Sequence, residues 1–77
     1  MTLEDFINGV RYEIQGNVFI QAEKDGELDP IYESDHGIYE SEVESYLNRI
    51  VEYVYADVIN GKVFLVIELS DRDADLY

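Results

Sequence analysis

The chain of 77 residues contains no cysteine. This absence excludes disulfide bonds, thiolate metal ligands and thiol nucleophiles, and it gives no sign of an oxidising compartment. Long apolar runs are also absent, since the longest, residues 63–67, is far too short to span a bilayer. Residues 1–5 are acidic where a signal peptide needs a basic region. We therefore expect a cytoplasmic protein that is neither exported nor inserted in a membrane.

Basic residues are scarce as well. Five lysines and arginines stand against 18 aspartates and glutamates, which gives a formal net charge of −13. The acidic residues extend along the chain from Glu4 to Asp75. Proteins that bind DNA, RNA or anionic membranes contact phosphates through clustered Lys and Arg side chains. Direct binding to nucleic acid or to a membrane surface is therefore disfavoured, and a partner is expected to be a basic protein.

The length predicts a single domain over residues 1–77, because so short a chain forms only one hydrophobic core. The hydrophobic fraction of 47% is normal for a folded globule. From about residue 70 the sequence is typical of an acidic tail. Because small domains have modest stability, which a dimer interface can supplement, we expect a monomer or a weak homodimer.

A short helix is predicted at the start of the chain. Thr2 and Asp5 have the spacing of a capping box, in which each side chain accepts from the other residue's backbone N–H. The apolar residues at helical spacing behind it are Leu3, Phe6 and Ile7. The Asn8-Gly9 pair is predicted to end this helix.

Two strands are predicted to flank a tight turn at residues 24–26, Lys-Asp-Gly. The alternating apolar residues of the preceding segment are Val10, Tyr12, Ile14 and, after a break at Gly16, Val18 and Ile20. The strand after the turn, around residues 28–33, contains Pro30. Proline cannot donate to a ladder, so this residue predicts an edge strand or a bulge.

Ser41 and Glu44 form a second capping-box pair and predict another short helix. Its apolar face would comprise Val43, Tyr46 and Leu47. The next stretch, Arg49–Ile59, is ambiguous, because its apolar residues would also continue this helix to residues 60–61. We favour a strand over residues 49–57, which are dense in β-branched and aromatic side chains.

The Asn60-Gly61 pair predicts a hairpin turn into a last strand over residues 62–69. The apolar run inside this segment is typical of a central strand that is covered on both faces. The predicted fold class is therefore α+β, with a small, mostly antiparallel sheet of about four strands and one or two short helices.

The last third of the chain also carries a family resemblance. Residues 47–57 read LNRIVEYVYAD, and residues 63–69 read VFLVIEL. This pattern resembles small uncharacterised prophage and integrative-element proteins of Gram-positive bacteria, which open with a short Leu-rich helix, carry an Asp-Gly hairpin and close on an apolar strand. The resemblance implies the same layout and a mobile-element setting, and it implies no functional residue.

No pattern of catalytic or metal-binding residues is complete. His36 is the only histidine, and Ser34 and Asp35 beside it could form a Ser-His-Asp triad only if sequence neighbours pointed at one another, so a solvated loop histidine is expected. The tail residues spaced like oxygen ligands in the first half of a calcium loop are Asp71, Asp73 and Asp75. The glycine and the final glutamate of such a loop are missing. We expect no enzyme activity, metal site or cofactor.

The tyrosines are the most promising feature for binding. On the predicted strand Tyr53 and Tyr55 share one face while Val54 and Ala56 share the other, so one pair should cover the core. Exposed tyrosines beside carboxylates are typical of protein-binding surfaces. The alternative is ordinary packing of these tyrosines under a thin layer of helices. The candidate partner-binding residues are Glu40, Glu42, Glu44, Glu52, Tyr53, Tyr55 and Asp57.

The leading hypothesis for function is a non-enzymatic protein-binding module from a mobile element. It would act as an inhibitor or a DNA-mimic-like decoy, because spaced carboxylates compete with DNA phosphates, one charge per about 1.7 Å of duplex, for basic side chains. The alternative is a structural domain that self-associates through an exposed sheet edge or through its tyrosine face.

Overall fold

A single four-stranded sheet organises the chain. The computed structural model describes residues 1–10 and 16–74. In chain order the elements are helix α1 (Leu3–Val10), strands β1 (Val18–Lys24) and β2 (Glu27–Ser34), two 3-10 turns (Glu40–Glu42 and Glu44–Tyr46), and strands β3 (Arg49–Ile59) and β4 (Lys62–Asp73). The strand order across the sheet is β2-β1-β4-β3. The predicted α+β class is confirmed, with β1 and β4 as one parallel pair among antiparallel ones.

Helix α1 begins with the predicted capping box. The Thr2 N–H donates to Asp5 Oδ2 at 3.2 Å, and the Asp5 N–H donates to Thr2 Oγ1 at 3.1 Å. The helix continues to Val10, past the Asn8-Gly9 pair that was predicted to end it. A glycine ends a helix by adopting a left-handed conformation, and Gly9 stays helical. The predicted alternation at Tyr12 and Ile14 lies outside the described residues, and Val10 belongs to the helix.

The predicted second α-helix is wrong. Two separate 3-10 turns occupy this segment, and no side chain caps either of them. They are divided at Val43, whose φ of −123° and ψ of 25° interrupt helical geometry. The Val43 side chain is 2% exposed and packs in the hydrophobic core. Burial of this valine against the sheet therefore takes precedence over a continuous helix through Ser41 and Glu44.

Both predicted hairpin turns are confirmed. Asp25 and Gly26 have φ angles of 54° and 83°, and Asn60 and Gly61 have φ angles of 52° and 79°. Positive φ at both central residues is typical of a type I′ turn, whose twist matches that of the paired strands. The preference for a strand over a helix in Arg49–Ile59, the segment before the second turn, is confirmed as well.

The position of Pro30 also agrees with the sequence. It lies in β2, an edge strand, and the β1–β2 register shifts beside it, between Ile20 and Gln21. Both predicted explanations, an edge strand and a bulge, therefore hold together.

Strand β4 is central and buried on both faces, as predicted. Ile67 and Leu69 lie on the face covered by α1, and Phe64 and Val66 lie on the other. The strand continues to Asp73, three residues beyond Ser70, so the predicted tail begins inside the sheet.

One hydrophobic core lies between the sheet and α1. Its buried members are Leu3, Ile7, Val18, Ile20, Ala22, Val43, Ile67 and Leu69. The N-terminal residues fix the helix over this core, since the Val51 N–H donates to the Met1 carbonyl at 2.9 Å and the Glu4 N–H donates to the Leu47 carbonyl at 3.0 Å. Within the described residues, no helix has the length and apolar character needed to cross a bilayer.

Two truncations in β4 test this core. Ile67 is fully buried, so Ile67→Ala should lower the free energy of unfolding by about 2–5 kcal/mol, through lost burial and a residual cavity. Val63 in the same strand is 66% exposed, and Val63→Ala should change that free energy by less than about 0.5 kcal/mol. Urea denaturation measures both, and equal losses would contradict the difference in burial between these two residues on the same face of β4.

Candidate functional site

The face of the sheet opposite α1 carries aromatic and acidic side chains together. Side chains alternate between faces along each strand, so the residues that share a face with Phe64 and Val66 follow from the register. We call this surface the open face. Its paired residues are Phe19, Gln21 and Glu23 of β1, Leu28, Pro30 and Glu33 of β2, Lys62, Phe64, Val66 and Glu68 of β4, and Tyr53, Tyr55, Asp57 and Ile59 of β3.

Two tyrosines of β3 project from the open face into solvent. Tyr53 is 61% exposed and Tyr55 is 40% exposed. In the antiparallel ladder Tyr53 pairs with Glu68, Tyr55 with Val66, and Asp57 with Phe64. Cross-strand partners on one face have Cβ atoms within about 5 Å of each other, so aromatic rings and carboxylates alternate over a continuous surface.

A hydrogen bond orders the middle of this surface. The Tyr55 hydroxyl donates to Glu68 Oε2 at 2.5 Å. This bond, first, and then partial desolvation raise the pKa of Tyr55, with smaller contributions from the charges of Glu68 and Asp57. The phenol is therefore held as a neutral donor to the Glu68 carboxylate.

The other side of β3 is exposed too. Val54 is 44% exposed and Val58 is 64% exposed, although both side chains point to the face on which α1 lies. The expectation that one pair of alternating residues in β3 covers the core is therefore wrong for its second half. The helix covers β1, β4 and only the beginning of β3, where Val51 packs against the core.

The structure separates the seven predicted partner-binding residues. Tyr53, Tyr55 and Asp57 lie together on the open face, and Glu52 lies at the register shift just before them. The remaining three are Glu40, Glu42 and Glu44, which lie in or beside the 3-10 turns. Because Val43 between these glutamates packs in the core under α1, they belong to the opposite side of the sheet.

Glu68 is the main residue that sequence reasoning missed. It follows directly on the apolar run of β4 and is half-buried, so the sequence pattern indicates a strand core at this position and not a binding site. The signal was its place two residues after Val66, which puts both on one face of a strand. The identity of its partners, Tyr53 and Tyr55, depends on the β3–β4 register, which includes irregularities near Val51.

His36 lies in a second polar cluster, at the loop after β2. Its Nδ1 is 3.2 Å from Asp35 Oδ1 and its Nε2 is 3.3 Å from Glu42 Oε1, while its ring stacks on Tyr39 with centroids 5.2 Å apart. Hydrogen bonds to Glu42, first, and to Asp35 raise the pKa of His36 above its ordinary value. Only the protonated imidazole donates to both carboxylates at once.

The geometry around His36 differs from that of a catalytic triad. The Ser34 hydroxyl donates to the Gly37 carbonyl, and both ring nitrogens of His36 face carboxylates. The Tyr32 hydroxyl completes the cluster, since it lies 3.1 Å from Gly37 O and 3.0 Å from Glu42 Oε1 and can donate its one proton to either acceptor. Burial, first, raises the pKa of Tyr32. The cluster therefore holds the loop after β2 against the first 3-10 turn.

Two concave regions lie on the surface of the described residues. A cleft of about 420 Å³ is lined by Glu23 and Asp29 but also by Lys24 and Arg49, so it does not gather charge of one sign. A smaller apolar groove of about 240 Å³ lies between α1 and β3. Its lining residues are Met1, Asp5, Phe6, Gly9 and Val54. Within the described part of the chain no cluster of metal-ligating side chains occurs.

Comparison with known proteins identifies no relative of this chain. No protein-family model, curated protein or solved structure matches the chain. The resemblance to mobile-element proteins stays a prediction, and the site rests on the geometry alone.

The His36 cluster makes the loop sensitive to pH. A folded-state pKa raised above 6.5 stabilises the fold below the unfolded pKa, and this contribution is lost as the pH rises through the folded value. Glu42→Gln should lower the pKa of His36 in an NMR titration, whereas Glu44→Gln should leave it unchanged. An unaltered His36 titration in Glu42→Gln would contradict the contact.

Proposed function

We propose that the chain is a non-enzymatic protein-binding module whose open face binds a basic surface of another protein. The observation that carries this proposal is the group of Tyr53, Tyr55, Asp57 and Glu68, which places two exposed rings beside two carboxylates on one side of an edge strand. Tyrosine supplies contact area and cation–π attraction, and the carboxylates attract Lys and Arg side chains.

The charge distribution supports a basic partner. Carboxylates of Glu23 and Glu33 extend the acidic character of the open face across β1 and β2, and the register places Lys62 at its far end. Arg49 does not neutralise this surface, because its side chain is engaged at the other end of β3. Its Nε lies 3.5 Å from Asp73 Oδ1, its guanidinium donates to the Ser70 carbonyl at 3.0 Å, and it stacks over the Tyr46 ring.

The net charge of −13 adds a long-range component. Such a field steers a basic partner and speeds its association at low ionic strength, and salt screens it beyond about 8–10 Å. A basic surface that normally binds nucleic acid fits this chemistry, so we place the module with inhibitors or decoys of such proteins. The mobile-element setting that the sequence resemblance implies agrees with this role.

Binding of a defined basic probe tests the proposal. An N-acetylated, C-amidated heptalysine peptide, titrated into the ¹⁵N-labelled protein, should shift the amide signals of Tyr53, Tyr55 and Glu68, and the shifts should weaken as salt rises. The double variant Tyr53→Ala with Tyr55→Ala should bind about tenfold more weakly, since both rings leave the surface.

Tyr39→Ala is the matched control, because this tyrosine is 58% exposed on the loop beside His36 and away from the open face. It should leave the affinity for heptalysine unchanged. Shifts centred on Glu40 and Glu42, or equal effects of Tyr39→Ala and the double variant, would overturn the assignment of the open face.

A further inference from the structure

The two edges of the sheet differ in how well they resist pairing with another strand. The β2 edge carries Pro30 and a register shift beside it, and both features discourage strand addition. The β3 edge keeps a regular register from Tyr53 to Ile59 and contains neither proline nor lysine over that length. Among the described residues, nothing pairs with its outer side beyond the start of the strand.

The register shows which backbone groups of β3 face outward. The Leu65 N–H donates to the Asn17 carbonyl of the β1 side, so the next residues in alternation, Val66 and Glu68, point their backbone groups toward β3. Their partners Tyr55 and Tyr53 are thereby hydrogen-bonded inward. The backbone groups that face the outer edge are those of Val54, Ala56 and Val58. The Val58 N–H already donates to Asp57 Oδ1 at 2.8 Å, so the N–H groups that remain for an added strand are those of Val54 and Ala56.

The same edge already accepts an extended segment where β3 begins. Thr2 forms an antiparallel bridge with Ile50, and the Val51 N–H donates to the Met1 carbonyl at 2.9 Å. Val51 presents its N–H outward because the register shift at Glu52 reverses the alternation and pairs Val51 with Leu69. The N-terminal residues occupy this edge only as far as Val51, and the unpaired groups of β3 follow directly after the register shift at Glu52.

The side chains on the two faces of β3 determine which residues an added strand must carry. Opposite Val54, Ala56 and Val58 it would need apolar residues, and the groove of Met1, Phe6 and Val54 lies beside that row. On the open face it would lie beside the tyrosine rings, Asp57 and Glu68, which favour Lys or Arg. We infer that the outer edge of β3 takes up an extended segment of a basic protein, with basic and apolar residues in alternation, as a fifth strand.

This inference rests on the proposed function and specifies its mode of binding, β-augmentation, in which backbone hydrogen bonds give affinity and alternate side chains give specificity. A second copy of the chain is the competing occupant. Antiparallel pairing of two β3 strands about Ala56 would make the two Asp57 residues diagonal neighbours on one face, about 7–8 Å apart, and each copy carries a net charge of −13. Charge complementarity therefore favours the basic segment.

Two capped heptapeptides of equal composition and charge distinguish strand addition from simple electrostatic attraction. The alternating peptide KVKVKVK matches both faces of β3, and the block peptide KKKKVVV does not. The alternating peptide should bind at least about tenfold more tightly. In hydrogen-exchange NMR it should slow exchange of the Val54 and Ala56 amides, whereas the Tyr53 and Tyr55 amides, already bonded to β4, should change little.

A backbone variant provides the second measurement. Ala56→Pro removes an outward N–H without removing a β3–β4 bond, and it should weaken binding of KVKVKVK by about tenfold or more. Leu28→Pro is the matched control, because the register gives this residue an outward N–H on the β2 edge, at the opposite edge of the sheet from β3. The affinity of this variant for KVKVKVK should equal that of the wild type.

The outcomes distinguish the two proposals. If both peptides bind equally and the Val54 and Ala56 amides exchange as before, strand addition is overturned and binding of basic surfaces stands. If neither peptide nor heptalysine binds at low salt, the proposed function itself is overturned. If the Val54 and Ala56 amides become protected as protein concentration rises without peptide, and sedimentation gives a dimer, then a second copy is the occupant and the inference is wrong.

Discussion

The whole surface chemistry of this protein depends on one constraint, which is that its helical layer is much shorter than its sheet. Helix α1 has eight residues and is therefore about 12 Å long, whereas the 11 residues of β3 extend over about 36 Å. The helix and the buried Val43 cover β1, β4 and the first residues of β3. The second half of β3 is left exposed on both faces and along its outer edge, so the least covered strand is also the one with paired tyrosines.

The net charge has a structural as well as a functional consequence for such a strand. A regular edge without proline or lysine is ordinarily prone to pair with other copies. Here each copy carries a formal charge of −13, and Asp57 and Glu68 lie near the edge itself, so like charges oppose self-association while leaving the backbone groups accessible. The same charges attract Lys and Arg. One property therefore discourages the wrong occupant of the edge and favours a basic one.

Local signals explain what the sequence could predict. The Thr2–Asp5 capping box, both turns with positive φ and the edge position of Pro30 depend on residues within a few positions of one another, and all are confirmed. The prediction of a second helix is wrong because Val43 packs in a core built from distant segments. The parallel β1–β4 pair and the Tyr55–Glu68 bond depend on register between strands, and the side chains alone do not encode that register. Three of the seven candidate residues consequently lie on the other side of the sheet from the tyrosines.

Magnitudes indicate why the backbone edge matters more to specificity than the carboxylates do. A single exposed ion pair contributes about 0–1 kcal/mol and is screened by salt, so Glu68 and Asp57 alone would attract any polycation without discriminating among them. An added strand would satisfy the outward N–H groups of Val54 and Ala56 at once, and it would fix which side chain of the ligand meets the tyrosine rings and which meets the apolar row. A shift of one residue would exchange those two sets, placing charges against the valines and apolar groups against the carboxylates. In the proposed mode of binding, the edge thus converts a diffuse negative charge into recognition of a sequence pattern.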